Sequence, residues 1–178
     1  MTQAVIVSTA RTPIGRANKG AFNATKSPTL LGHAIAHAVA RSGVEPGEID
    51  DVVAGTVLAA GTAGMNLARN AAFAAGLGLG VSGQTMDRQC ASGLMAVATA
   101  AKQIIVDGMR VVVAGGQENI SAVQKAYFDW ASSEADPAVK TQVPHAYMPM
   151  LLTAEFEAKK YGLSRAAHVD LVGMLARA

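Results

Sequence analysis

Apolar residues recur at helical spacing in several stretches of the chain. Between Thr29 and Ser42 they form one stripe, made of Leu30, Leu31, Ala34, Ile35, Ala38 and Val39. Residues at this spacing share one face of an α-helix, and Gly43 supplies an end signal. Similar patterns predict helices over residues 66–75, 91–106, 152–161 and 164–177. The helix over 91–106 is apolar almost all round, which indicates burial at the centre of the domain.

Short runs with strand character lie between these helices, at residues 4–7, 51–57, 82–86 and 110–114. Strands that alternate with helices favour an α/β fold with a largely parallel sheet covered on both faces. The stretch 124–147 is more polar and contains the turn-favouring pair Asp136-Pro137. This stretch is predicted to be loop with at most one short helix.

The only cysteine of the chain, Cys90, lies where the strand over 82–86 leads into the helix over 91–106. The first N–H groups of a helix have no partner inside it and favour negative charge. A thiolate is such a charge, so this position predicts that Cys90 is a nucleophile. Its small neighbours Ala91, Ser92 and Gly93 leave room for a substrate carbonyl. A buried structural cysteine is the alternative interpretation.

Several segments resemble the thiolase family, and they occur in the family's order. Asp87-Arg88-Gln89-Cys90-Ala91-Ser92-Gly93-Leu94 resembles its nucleophile loop, and Ala10-Arg11-Thr12-Pro13-Ile14-Gly15 resembles its N-terminal signature. The stretch 113–121 resembles its Gly-Gly-x-Glu-x-Met-Ser segment, and 153–165 resembles the helices of its loop domain. The resemblance covers nearly the whole chain but only the first half of the family's usual length.

The resemblance implies the fold of a thiolase N-terminal half, an α/β domain with a mostly parallel mixed sheet covered by helices. That domain is expected over residues 1–121, and the start of a loop domain over 122–178. The implied activity is that of an acyl-CoA:acetyl-CoA C-acyltransferase of fatty acid metabolism. It forms or cleaves 3-ketoacyl-CoA through an acyl thioester on Cys90. Its substrates are acyl-CoA and acetyl-CoA, and no cofactor is implied.

Met150 is a second candidate site residue, because Pro149-Met150-Leu151 resembles a Pro-Met-Gly segment that lines the acyl pocket in part of the family. A structural contact at the start of a helix is the alternative role for Met150. Two positions depart from the family pattern: Leu151 replaces a glycine in this segment, and Asp87 replaces an asparagine in the nucleophile loop.

The catalytic groups of the family's second half have no counterpart in this sequence. They are a histidine in Gly-His-Pro, an asparagine in Asn-Glu and a cysteine in Cys-x-Gly, and neither His145 nor His168 lies in a matching motif. The 178-residue chain alone is therefore expected to be inactive. One hypothesis is a thiolase present here as a truncated product or as one piece of a split enzyme. Another is a non-catalytic module for assembly or acyl-CoA binding. A ketosynthase-like condensing enzyme shares the cysteine at a helix start but not the N-terminal signature.

Composition limits the remaining function classes. A net charge of +2 is too small to imply a nucleic-acid partner, and no stretch has the apolar density of a membrane span. A single cysteine excludes an internal disulfide and a cysteine-based metal cluster, and it fits the reducing cytoplasm. His33 and His37 lie one helical turn apart, as in half a zinc site, but no further ligand is evident. A solvated helix face is therefore expected for them, and no metal site is predicted.

Two further expectations concern the N-terminus and assembly. The first forty residues are basic, as in a mitochondrial transit peptide, but the run over 4–7 leads directly into the thiolase-like signature. This segment is therefore expected to belong to the fold. The resemblance also implies a homodimer or homotetramer, with the strand over 110–114 close to a two-fold axis.

Overall fold

The structure is a computed structural model that describes residues 2–175. Its helices and strands follow in the order α1 (Ser27–Ser42), β1 (Asp51–Gly55), α2 (Leu67–Ala74), β2 (Ser82–Met86), α3 (Ser92–Ile105), β3 (Val112–Gly116), α4 (Ile120–Ser133), α5 (Pro137–Gln142), α6 (Met150–Tyr161) and α7 (Arg165–Leu175). The chain divides into two compact units between Asp129 and Trp130.

The first unit is built on a parallel sheet with the strand order β2-β1-β3. Asp51 pairs with Ser82 on one side and with Val112 on the other, and Gly55 at the far end pairs with Met86 and Gly116. Both pairings are parallel, which confirms the prediction from the alternating strands and helices. As a result, the carboxyl ends of all three strands lie at one edge of the sheet.

The central strand β1 separates two layers of helices. Val52 and Ala54 pack in one core cluster with residues of α1 and α2. Val53, which points to the opposite face, packs with Ala96 and Ala100 of α3. All five residues of β1 are buried, because successive side chains of a strand point to opposite faces and both faces are covered here.

Most predicted helix boundaries agree with the structure to within two residues. α1 begins at Ser27 with Pro28 in its first turn, and it ends before Gly43, whose φ is 72°. α6 likewise ends before Gly162, whose φ is 64°. A left-handed φ is the usual way to end a helix, and glycine adopts it without steric cost.

The strand predicted over residues 4–7 is wrong, since this segment pairs with no strand in the structure. Val5, Ile6 and Val7 are each at least 70% exposed. A cavity of about 500 Å³ lies between the N-terminal segment and β3, and residues of α1 and α3 also line it. A strand exists only where a neighbouring backbone accepts its hydrogen bonds, and none of the three strands in the described chain pairs with residues 4–7.

The expected burial of α3 at the centre of the domain is also wrong. Its buried residues are Ser92, Ala96 and Ala100, which face the sheet. On the opposite side, Leu94 is 75% exposed and Ile105 is 50% exposed. Apolar residues all round a helix indicate what that helix is able to bury, but only the face that meets another element becomes buried.

The stretch predicted as loop over 124–147 instead contains most of α4 and all of α5. The Asn119 side chain accepts a hydrogen bond from the N–H of Ala122 at the start of α4. Asp136 caps α5 through the N–H of Ala138, and Pro137 is the first residue of that helix. Asp-Pro therefore marks a helix start here, because proline has the φ and the missing N–H that suit a first turn.

The second unit has little core of its own. Across its described part, residues 130–174, no side chain is buried. Ser164 accepts a hydrogen bond from Ala167 N–H, as predicted for the cap of α7. The predicted end of that helix at Arg177 lies outside the described residues. No helix within residues 2–175 combines the length and the apolar character that crossing a membrane requires.

Candidate active site

Cys90 lies in the turn that joins β2 to α3, at the carboxyl edge of the parallel sheet. β2 ends at Met86 and α3 begins at Ser92. The thiol is free and exposed, which rules out the alternative of a buried structural cysteine. Ligands of open parallel sheets generally bind outside the carboxyl ends of the strands, and Cys90 follows the carboxyl end of β2.

The turn before Cys90 has an unusual backbone conformation. Gln89 has a φ of 50°, a left-handed value that few residues other than glycine adopt. The Asp87 carboxylate accepts a hydrogen bond from the Gln89 N–H at 2.7 Å. Asp87 replaces the asparagine of the family pattern, and its side chain caps the turn. An asparagine oxygen is able to accept the same bond.

The buried Ser92 side chain forms hydrogen bonds with the backbone of this turn. Its side chain is buried, with 4% of the residue exposed. Ser92 Oγ accepts a hydrogen bond from Arg88 N–H at 2.8 Å and donates one to Gln89 O at 2.6 Å. The Ser92 N–H also donates to Gln89 O at 3.0 Å. The sequence suggested only that Ser92 is small enough to leave room for substrate; in the structure it is a buried part of the turn.

Two glycines allow the start of α3 to approach the sheet closely. A Cβ on Gly55, at the end of β1, would lie 2.6 Å from Gly93 N and closer still to the carbonyl group of Ser92. A Cβ on Gly116, at the end of β3, would lie 3.1 Å from Gly93 Cα. The residues that follow Cys90 therefore pack on glycine backbone at the ends of two adjacent strands.

Glu118 connects the segments that follow β3 and β1. Its carboxylate accepts hydrogen bonds from Val57 N–H at 2.8 Å, Leu58 N–H at 3.2 Å and Thr56 Oγ1 at 3.2 Å. The carboxylate thereby satisfies backbone donors beyond the end of β1. The sequence signal was an acidic residue two positions after the Gly115-Gly116 pair that follows the predicted strand over 110–114.

The other candidate residues lie away from this turn in the sequence. Met150 is the first residue of α6 in the second unit and is 77% exposed. His33 and His37 lie on the exposed side of α1, with ring centres 4.5 Å apart. Within residues 2–175, no three His, Cys, Asp or Glu side chains come together in a way that could hold a metal ion.

Comparison with known proteins identifies the family. Residues 4–171 match the thiolase N-terminal domain. The chain belongs to the thiolase family. It is 38% identical over 165 residues to a 3-ketoacyl-CoA thiolase of Bacillus subtilis (strain 168), an alignment that covers 93% of this chain and 41% of the relative. It is 39% identical over 176 residues to an acetyl-CoA acetyltransferase of Cupriavidus necator, covering 94% and 44%.

A solved thiolase structure shows the same fold. The crystal structure of the Bacillus anthracis acetyl-CoA acetyltransferase is similar with a TM-score of 0.65 and 41% sequence identity. The similarity covers 69% of this chain and 31% of that one. The chain spans about two-fifths of the length of the curated relatives that it matches. The predicted thiolase-type α/β fold is thus confirmed, and so is the correspondence to the family's N-terminal half.

Proposed function

We propose that this chain is the acyl-accepting part of a thiolase and that Cys90 is its nucleophile. The observation that carries the proposal is the exposed Cys90 thiol at a strand-to-helix turn in a chain of the thiolase family. The named relatives are a 3-ketoacyl-CoA thiolase and an acetyl-CoA acetyltransferase, so the proposed substrates are acyl-CoA and acetyl-CoA.

The proposed first step is a thioester exchange. Cys90 Sγ attacks the carbonyl carbon of an acyl-CoA, and a bond from sulfur to that carbon forms. The bond from the carbon to the coenzyme A sulfur breaks, and coenzyme A leaves as a thiol with the proton that Cys90 lost. Acetyl-CoA then loses a proton from its methyl group to a base, and the resulting carbanion forms a bond to the acyl carbon. The bond from that carbon to Cys90 Sγ breaks, 3-ketoacyl-CoA is released, and Cys90 regains a proton. Cleavage of 3-ketoacyl-CoA follows the same steps in reverse.

The second step, the attack by the acetyl-CoA carbanion, requires catalytic groups for which this chain has no matching family motif. It needs a base that removes a proton from acetyl-CoA and donors that stabilise the oxyanion. Loss of a single oxyanion donor lowers a rate by about 100- to 1000-fold. We therefore propose that the 178-residue chain is acylated slowly and does not turn over. In the complete enzyme, the remaining groups come from the part of the relatives that this chain does not match.

Intact mass spectrometry tests the first step directly. The chain is incubated with acetyl-CoA, and the Cys90→Ala variant serves as the control. We expect one acetyl group on the unmodified chain and none on the variant. Acetylation of both proteins to the same extent would contradict the assignment of Cys90 as the nucleophile.

A turnover assay separates the enzyme from the second candidate function, a non-catalytic module that binds acyl-CoA or assembles with a partner. Cleavage of acetoacetyl-CoA is measured with the chain alone. It is measured again after addition of the part of the Bacillus subtilis thiolase beyond the stretch that this chain matches. Activity that appears only in the mixture supports a divided enzyme, and persistent inactivity with no Cys90 acylation supports the module.

Several finer assignments belong to the same proposal. Residues 1–121 are the thiolase-like α/β domain, and 122–178 begin the loop domain. Met150 contacts the acyl chain, and its exposure at the start of α6 leaves it accessible for that role. The test is the acyl-length preference of the complemented enzyme with Met150→Ala, beside Met148→Ala as the control. A preference that shifts equally in both variants counts against Met150.

Assembly and location complete the proposal. We propose a homodimer or homotetramer in the cytoplasm, with β3 near the two-fold axis. The partly exposed valines of β3 and the single free cysteine support these assignments. Light scattering at micromolar concentration tests assembly, and a monomer counts against it. A 3-ketoacyl-CoA thiolase of Arabidopsis thaliana is named as peroxisomal, so fractionation of the source cells is the test of location.

A further inference from the structure

The orientation of the Cys90 backbone is determined by hydrogen bonds to the preceding peptide group. Gln89 O belongs to the peptide bond between Gln89 and Cys90. It accepts two hydrogen bonds from Ser92, one from the hydroxyl at 2.6 Å and one from the backbone N–H at 3.0 Å. Both donors belong to a residue that is 4% exposed, so this carbonyl group points into the protein.

The opposite side of the same peptide group is the N–H of Cys90. The described chain contains no cis peptide bond, and in a planar trans peptide the N–H and the C=O point in opposite directions. Since the carbonyl of Gln89 points inward to Ser92, the N–H of Cys90 points outward. Cys90 itself is free and exposed.

The conformation of Gln89 shows that the turn needs such a restraint. Its φ of 50° is left-handed, and a residue other than glycine leaves that conformation unless the surroundings hold it. The Ser92 hydroxyl spans the strained residue, with Arg88 N–H on one side and Gln89 O on the other. One buried hydroxyl thus bonds the Asp87–Arg88 peptide and the Gln89–Cys90 peptide, which lie on either side of the Arg88-Gln89 pair.

We propose that Ser92 is a positioning residue for Cys90. Its hydroxyl fixes the plane of the Gln89–Cys90 peptide and so directs the Cys90 N–H and thiol together toward the carbonyl of an incoming thioester. This inference rests on the acylation of Cys90 proposed above. Ser92 itself does not touch the substrate.

Two electrophiles distinguish positioning from a purely structural role. Iodoacetamide reacts at a saturated carbon: Sγ bonds to that carbon, iodide leaves, and no oxyanion forms at the attacked atom. Acetyl-CoA reacts at a carbonyl, and its oxygen becomes an oxyanion that a correctly directed N–H stabilises. The informative quantity is therefore the ratio of the acetylation rate to the alkylation rate of Cys90, each followed by intact mass.

We expect Ser92→Ala to lower this ratio by about 10-fold, less than the loss caused by complete removal of an oxyanion donor. Ser92→Thr retains a hydroxyl and should restore the ratio to near that of the unmodified chain. Ser42→Ala is the matched control, because Ser42 Oγ also accepts one backbone N–H and donates to one carbonyl, at the end of α1. The control should leave the ratio unchanged.

The outcomes separate this inference from the proposed function. If the unmodified chain is acetylated at Cys90 and Ser92→Ala has the same ratio, the positioning role is overturned while the nucleophile assignment stands. If acetyl-CoA does not acylate the unmodified chain, both are overturned. A drop of the same size in Ser42→Ala also overturns the positioning role, because it shows a general effect of lost stability.

A measurement on the unmodified chain covers the case in which Ser92→Ala does not fold. Amide hydrogen exchange should be slow at Arg88, whose N–H is bonded to Ser92 Oγ although the residue is exposed. It should be fast at Cys90, whose N–H points outward. Protection at Cys90 with fast exchange at Arg88 overturns the proposed orientation.

Discussion

Glu118 Oε2 accepts the backbone N–H of Val57 at 2.8 Å, which joins two segments that are 61 residues apart in the sequence. The bond lies just past the carboxyl ends of β3 and β1. The same carboxylate also accepts a hydrogen bond from Leu58 N–H. One side chain thus satisfies two backbone donors in the segment that follows β1. The edge of the sheet that carries Cys90 is therefore held together partly by the hydrogen bonds of this one carboxylate.

Replacement of Glu118 tests the energetic importance of this link. We expect Glu118→Ala to lower the free energy of unfolding by about 2 kcal/mol, because hydrogen bonds to charged groups contribute about 1.5–3 kcal/mol. Urea denaturation followed by circular dichroism measures the change. Glu155→Ala, at an exposed position of α6, is the control and should change stability by less than about 0.5 kcal/mol. Equal losses in both variants would contradict the assigned role.

Gly55 is expected to tolerate no side chain. In Gly55→Ala the new Cβ would collide with the backbone of Ser92 and Gly93, which has to shift along with the start of α3. Overpacking of this kind costs about 1–3 kcal/mol, and the displaced turn should change the rate at which iodoacetamide labels Cys90. Gly47→Ala is the control, since a Cβ there meets no atom within 4 Å. Labelling and thermal unfolding of Gly55→Ala that match the control would disprove the close approach.

Asp50 makes stability depend on pH in a defined direction. Hydrogen bonds from the N–H groups of Arg110, at 2.7 Å, and Val111, at 3.1 Å, lower the pKa of the Asp50 carboxyl below its usual value of 3.8. A lowered pKa in the folded state adds stability above the unfolded pKa, and this stability is lost as pH falls through the folded pKa.

Comparison of the unmodified chain with Asp50→Asn measures this contribution. The difference in unfolding free energy should be constant from neutral pH down to about pH 5 and should shrink below about pH 4. Urea titrations at several pH values provide the measurement. A difference that stays the same down to pH 2 would show that the Asp50 charge does not contribute.

The two units should differ in the protection of their helices. α2 contains four buried residues, Leu67, Ala68, Ala71 and Ala72, each with 0% exposure. α6 contains none, and Leu151 in its first turn is 82% exposed. Helix stability in proteins comes mostly from the packing of an apolar face, so α6 amides should exchange at least tenfold faster than α2 amides. Similar protection in hydrogen-exchange mass spectrometry would contradict this expectation.

The sequence by itself determined several helix ends and the position of Cys90 at a turn. The helix ends at Gly43 and Gly162 were predictable because glycine adopts the left-handed φ that commonly ends a helix. The strand over 82–86 and the cysteine after it placed Cys90 at a strand-to-helix turn, and the family motif around Cys90 was sufficient to indicate acyl transfer. These features depend on residues close together in the chain, so sequence patterns report them directly.

Only the tertiary structure decided which other elements each helix or strand contacts. The run over 4–7 has strand character but pairs with no strand, because pairing depends on a neighbour at hydrogen-bonding distance. The outer face of α3 is apolar yet exposed, because burial depends on another element covering it. The hydroxyl of Ser92 and the carboxylate of Glu118 acquired their roles only when folding brought the Arg88–Gln89 turn and the Val57–Leu58 backbone within reach. Sequence spacing does not encode these distances, since they depend on how helices and strands pack together.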